Sequence, residues 1–389
     1  MAAGGKNKIS PSLGSRIRYW VFSGGVPTDT LPPLGPSYME AVTAKGRERD
    51  DEYFGQIPDA LPQEVVRELS MISPARSTLH ILLGWIYIVG AIWLCRRFWN
   101  PWTYFLTVLF LGARIHGMMM LMHDGSHYRL FRNRTLNDVV TELLLGWPFF
   151  IAMQRYRAFH FLHHHHLGEE RDGNRVLYLT HTPNGQITAD WIFPKTAAGF
   201  LFFLLKRLIA GPLLVVYILW INLSEAYYVL TGQPTRAWLI GRYRKPPSKL
   251  YVMVQAAFIV AGLAVLAYWQ LWRGFFLFWV VPWSWHVVLE QIRISSEHFA
   301  IENSHPFYRQ TRSVQATWFE KVFYLPNNGT FHLEHHMYPS VPFYRLPKLH
   351  ALLMNQPGFR ERAQLTTHLS GLFHELVTPG SHKKRASAG

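Results

Sequence analysis

Long apolar blocks alternate with polar, histidine-bearing segments along this chain. The first strong block is Leu79–Leu94, LHILLGWIYIVGAIWL, closed by Cys95-Arg96-Arg97. The second, Trp102–Met122, is broken by Arg114 and His116, and only a few residues including Asn100-Pro101 separate the two. A bilayer core of about 30 Å takes about 20 apolar residues of α-helix. The pair therefore predicts a helical hairpin, with spans at about 79–97 and 102–122. Leu250–Leu271 and Gly274–Leu289, joined around Arg273-Gly274, predict a second hairpin with spans at about 250–271 and 274–290. Two further stretches are less regular. Leu143–Met153 is too short to cross. Phe200–Leu223 is long enough but carries Lys206-Arg207 and Pro212, and a pair of charges deep in lipid is costly.

The flanks are polar. Residues 1–75, with Pro32-Pro33 and a charge run at Lys45–Glu52, predict an arm that ends in a short helix. That helix, within LPQEVVRELSMI at 61–72, has its apolar residues at helical spacing and suits a membrane surface. Residues 76–350 form the membrane domain in this reading, and residues 351–389 a C-terminal cytosolic tail ending in His382-Lys383-Lys384-Arg385.

Three histidine clusters punctuate the polar segments: His123 and His127 in MHDGSH, His160, His163 and His164 in HFLHHHH, and His332, His335 and His336 in HLEHH. Residues three and four apart share a helix face, so HxxxH aims two imidazoles one way and each HxxHH aims three. Neutral imidazole is the commonest protein ligand for transition metals. One HxxxH in a chain with twenty histidines carries little weight. Two HxxHH groups together with it, each beside an apolar stretch, point to a site for two ions, because eight nitrogens exceed what one tetrahedral metal takes. His165 and His166 point off that face and read as surface or supporting residues.

A shared site requires all clusters on one side of the membrane. His123 and His127 leave the first hairpin, and His332–His336 follow the second. Phe200–Leu223 must then cross an even number of times, so it reads as interfacial or re-entrant. The fold class expected is all-α and integral to the membrane: four transmembrane helices in two hairpins, with a cytosolic helical cap holding a di-metal site and both termini cytosolic.

Composition adds limits. The excess of fifteen positive charges does not gather into a basic stripe with stacking aromatics, so no nucleic-acid partner is expected; positive charge on the cytosolic side of the spans accounts for it. The one cysteine, Cys95, excludes a disulfide within the chain. Histidine-only ligation suits iron with open positions for oxygen. Zinc could be held by the same residues but has no redox role, and a hydrolytic two-zinc site usually adds bridging carboxylates, which these helix faces lack. A metal transporter would place ligands at the membrane midplane within broken helices, whereas these clusters follow the spans.

HDGSH, HFLHH and HLEHH, in that order around two hairpins, resemble the histidine boxes of the membrane fatty acid desaturase and hydroxylase superfamily. NNGTFHLEHHMYPSVPFYRLPKLH at 327–350 and RYRAFHFLHHHH at 155–166 are similar to its acyl-lipid desaturase branch. The resemblance covers roughly 80–350. It implies an oxygen-dependent oxidoreductase with two Fe ions, O2 as co-substrate, and a long-chain acyl group of a lipid or thioester as substrate. It implies electrons from a separate donor of ferredoxin or cytochrome b type, since no fused haem-binding HPGG box is present. It also implies a ninth ligand after the last span, and His298 stands there. An asparagine that in some members holds a water on iron is here Ile294.

Asp124, Glu169, Asp172 and Glu334 are candidate acceptors for imidazole N–H groups; solvated or capping roles are the plain alternative. Arg155 and Arg157 could meet a substrate head group, or reflect the charge bias of the cytosolic face. His116, seven residues before His123, could face the cavity or be a satisfied core residue. Trp283 and Trp285 could line a substrate channel or simply pack. Hydroxylation of a lipid or carotenoid uses the same constellation and stays open beside desaturation.

Overall fold

A computed structural model describes residues 60–165, 167, 194, 196–232, 248–301, 308 and 311–378. The described chain is almost wholly helical. The exception to the all-α expectation is one parallel pair of three-residue strands, β1 (Ser313–Gln315) and β2 (Leu365–Thr367).

The stem begins with α2 (Pro74–Arg97) and α3 (Pro101–Ser126), after the short α1 (Gln63–Leu69). The sharp turn between α2 and α3 follows from Asn100-Pro101. The Asn100 side chain accepts from the amides of Trp102 and Thr103, each at 3.0 Å, and Pro101 takes the first helical position, where no N–H is needed. Farther along come α6 (Ala197–Thr231), α7 (Lys249–Tyr268) and α8 (Trp272–His298), the last with a π-helical turn at Phe276–Val280.

Five helices, α2, α3, α6, α7 and α8, are long and apolar enough to cross a membrane. The fifth is the departure from expectation. Phe200–Leu223 lies inside α6, a single helix of 35 residues that runs through Pro212, so it is not a re-entrant loop. The charge pair that argued against a long apolar helix is accommodated locally. Arg207 is buried with its guanidinium 4.8 Å from the Phe203 ring, and the Lys206 amine lies 6.0 Å from the Phe202 ring, a contact that lowers the cost of a cation away from water.

Two glycines set how closely α8 is gripped. A Cβ at Gly112 of α3 would meet the Pro282 carbonyl oxygen at 2.9 Å, and one at Gly211 of α6 would meet the Ser284 Cα at 2.4 Å. Absence of a side chain therefore lets both backbones approach α8.

The stretch too short to cross folds back on itself. Residues Arg134–Phe149, which begin with α4 (Arg134–Val140), meet α5 (Met153–His165) at 101°. The bend falls at Phe150, which has φ 64°. Phe149 there stacks on Trp279 of α8, with ring centroids 5.2 Å apart, and Trp85 of α2 adds a third ring at 5.8 Å from Phe149.

A cap closes over the stem. It includes α9 (Trp318–Phe323), α10 (His332–Met337), α11 (Leu346–Met354), α12 (Pro357–Arg362) and α13 (His368–Val377). The short helix expected at 61–72 is α1, which buries Leu69 in the cap among Leu333, Tyr338, Leu349 and Leu353. Residues 351–378, read from sequence as a tail, also join it: Leu372 and Leu376 pack on Phe200 and Phe203 of α6, and buried Arg312 pairs with Glu375 at 2.6 Å.

Candidate metal centre

Nine histidines gather where the stem meets the cap. They form two sets, His123, His127, His160, His164 and His335, and His163, His298, His332 and His336. Within each set one ligating atom per residue lies within 4.8 Å of the others. The elements explain the convergence. The end of α3 supplies His123 and His127, one face of α5 supplies His160, His163 and His164, the last residue of α8 is His298, and α10 contributes three. On α5 the second box splits between the sets, with His163 in one and His160 and His164 in the other. His335 likewise parts from His332 and His336. His165, expected off the shared face, is exposed.

The spacing of the nitrogens suits metal ions. The Nε2 atoms of His127 and His160 are 2.8 Å apart, those of His160 and His164 3.0 Å, and those of His164 and His335 3.1 Å. In the second set, the Nε2 atoms of His298 and His332 are 3.1 Å apart and those of His332 and His336 3.0 Å. Imidazole nitrogens about 2.1 Å from one ion at right angles to each other stand about 3.0 Å apart. Burial also favours the ligating form: it holds His160, His164, His332, His335 and His336 well below the ordinary imidazole range, with neighbouring imidazoles adding to the effect. A neutral ring keeps a lone pair for a metal.

A carboxylate backs one of the rings. The Nδ1 of His332 lies 3.3 Å from Glu297 Oε1, whereas Asp124 Oδ1 stands 3.6 Å from Nδ1 of His123, too far for a hydrogen bond. Asp124 accepts from the Phe343 amide at 2.9 Å, tying α3 to the cap. A carboxylate on Nδ1 fixes the tautomer that leaves Nε2 free to ligate. Glu334 faces elsewhere: it accepts from the Ser313 hydroxyl and lies 2.5 Å from Nδ1 of His350. Glu169 and Asp172 fall outside the described residues. Glu297 escaped the sequence reading, although a carboxylate beside His298 at the end of an apolar helix was a usable signal.

The two arginines of α5 are engaged inside the protein. Buried Arg155 pairs with Glu225 and donates to Asn222, both on α6, and donates to Gln255 of α7 at 3.0 Å. Arg157 donates to the Ser126 and Gly125 carbonyls at 2.7 and 3.1 Å and pairs with Asp138 at 2.5 Å. Both therefore fix α5 against its neighbours. Glu142 completes the mount by accepting from the Met153 and Gln154 amides at 3.1 and 3.2 Å and from the Tyr251 hydroxyl at 2.5 Å. It satisfies amides that the start of α5 leaves without helical partners.

Comparison with known proteins agrees with this geometry. Residues 99–367 match the family model described as fatty acid desaturase. The chain is 27% identical over 318 residues to dihydrorhizobitoxine desaturase of Bradyrhizobium elkanii, covering 80% of this chain and 84% of that protein. It is 26% identical over 270 residues to human sphingolipid delta(4)-desaturase/C4-monooxygenase DES2, covering 66% and 68%. It is 24% identical over 256 residues to sn-1 oleoyl-lipid 12-desaturase of Anabaena variabilis, covering 63% and 67%.

Proposed function

The chain belongs to the fatty acid desaturase family, and from that premise we propose that it is a membrane di-iron desaturase acting on a long-chain acyl group of a lipid or thioester. The observation that carries the reading is the pair of imidazole sets sharing one junction between stem and cap. In the proposal, His123, His127, His160, His164 and His335 hold one iron, and His163, His298, His332 and His336 hold the other. Iron so bound would supply the oxidising power to turn a CH2–CH2 pair into CH=CH, with dioxygen and two electrons from a separate ferredoxin or cytochrome b type donor and two protons giving two waters.

The residues of the chain do the rest. Glu297 keeps the His332 tautomer fixed, and Asp124 ties the end of α3 to the cap through the Phe343 amide. Arg155, Arg157 and Glu142 hold α5, which carries three of the ligands. The buried junction keeps bulk water from the reacting carbons.

The topology follows from the same convergence. His164 and His298 serve one site, and three long apolar helices separate them, so in this reading one of the three does not complete a crossing. We assign that role to α6, whose Asn222 and Glu225 hold Arg155 only five residues from His160. The remaining four helices cross, and the histidines and both termini face the cytosol.

Hydroxylation at the same centre is the second reading. The human relative's name carries both desaturase and monooxygenase. Expression in a host with a compatible reductase, followed by mass analysis of total lipids, separates the two: two hydrogens lost from an acyl chain means desaturation, and one oxygen gained means hydroxylation.

A further inference from the structure

A line of charged side chains leaves the metal junction and runs down the stem along α8. Glu297, behind His332, pairs with Arg293 at 2.5 Å; Arg293 pairs with Glu290 at 2.6 Å; and Glu290 Oε2 lies 3.4 Å from Nδ1 of His116 on α3. His286 follows, with its ring centroid 5.7 Å from that of His116, and Trp283 meets His286 edge-on at 4.9 Å. Burying such a line in an apolar stem costs free energy unless each member has a use.

Accessibility distinguishes Glu290 from its neighbours. Its side chain is 34% accessible, while that of His116 is 0% accessible. Trp283, His286, Ile294 and Glu297, four or seven residues from Glu290, are all buried. Residues at that spacing share a helix face, so α8 is covered on the side from which Glu290 projects. The open side of Glu290 therefore looks into an internal cavity and not into lipid. Tyr156 of α5 stacks on His160 at 5.3 Å.

The cavity wall is short of partners. Both ring nitrogens of His116, Nδ1 of His286 and Nε1 of Trp283 are buried without hydrogen bonds among the described residues. Such groups are costly to leave unmet. Glu290 also brings a partly accessible carboxylate acceptor to this wall. A plain alkyl chain would answer neither feature.

We propose that this cavity receives a hydrogen-bond donor carried by the substrate, a hydroxyl or amine close along the chain to the carbons that are oxidised, with Glu290 as its acceptor and His116 as a second contact. Glu290 lies eight residues before His298, about 12 Å of helix, so up to about ten carbon–carbon bonds separate the donor from the metal centre. The inference rests on the desaturase reading for which carbons react, but not for the binding itself.

The test is equilibrium binding of two radiolabelled probes to the purified full-length protein in detergent micelles. Sphinganine, an amino diol, carries donors near one end; methyl stearate matches its chain length and has only acceptors. The wild type is expected to bind sphinganine about fivefold to tenfold more tightly than methyl stearate, the range one or two hydrogen bonds give. Glu290→Gln and His116→Phe are each expected to cut that preference to about twofold or less, and either variant serves if the other does not fold. No preference in the wild type, or a preference that survives both substitutions, overturns the proposal. Preferential binding of sphinganine without oxidation of any chain would contradict the desaturase reading alone. Desaturation of a plain acyl ester with no binding preference would contradict the subsite alone.

Discussion

Glu297 stands between His332 and Arg293, 3.3 Å from the Nδ1 of the first and 2.5 Å from the guanidinium of the second. The arginine fixes the carboxylate, and the carboxylate fixes the imidazole. Removing such a partner commonly lowers metal affinity by about 10–100-fold. Glu297→Ala is therefore expected to lose metal from the set containing His332 by that factor, measured by competition with a chelator. Glu297→Gln, which keeps an acceptor oxygen, should lose less.

Glu142 caps α5 through two amides and the Tyr251 hydroxyl. Glu142→Ala should destabilise the protein by about 1–2 kcal/mol, as loss of a helix cap does. It should also lower metal content, because α5 carries ligands to both sets. Tyr251→Phe leaves the two amide contacts in place and should have the smaller effect. Thermal unfolding and metal analysis of the two variants measure both.

Close packing against α8 gives a third expectation. Gly211→Val would force its Cβ to within 2.4 Å of the Ser284 Cα. Overpacking of this kind costs about 1–3 kcal/mol and should show as a lower unfolding temperature. Gly90 of α2 has nothing within 4 Å of a built Cβ, so Gly90→Ala should leave that temperature unchanged or slightly raised.

The buried imidazoles set the acid limit. His160, His164, His332, His335 and His336 sit well below their ordinary value of 6.5 when folded. Below pH 6.5 the unfolded chain takes up protons that the folded chain does not, so stability falls as pH falls. Metal-free protein should lose unfolding temperature steadily from pH 7 to pH 5. Folded, metal-loaded protein should keep its ions to a lower pH than exposed histidines would allow, measured by dialysis followed by metal analysis.

Much of the centre was legible because a helix face repeats every three or four residues. That rule brought out the eight box histidines from His123 to His336, and the resemblance to a known family added His298. It could not divide the boxes between two sets, because that depends on how α3, α5, α8 and α10 approach one another. Glu297 and Arg293 were missed because charges near the end of an apolar block read as its boundary. Arg155 read as a head-group contact or as part of the cytosolic charge bias because its partners Glu225, Asn222 and Gln255 lie far along the chain. The continuity of α6 was hidden by Lys206-Arg207 and Pro212: local cost was visible in the sequence, and the aromatic rings that offset it were not weighed.

Iron stoichiometry tests the central claim most directly. After anaerobic reconstitution, the purified protein should hold about two iron ions per chain, one for each imidazole set. His127→Ala and His336→Ala should each fall toward one, by losing different ions. A wild type that binds a single ion per chain, or prefers zinc and takes up no iron, would contradict the account.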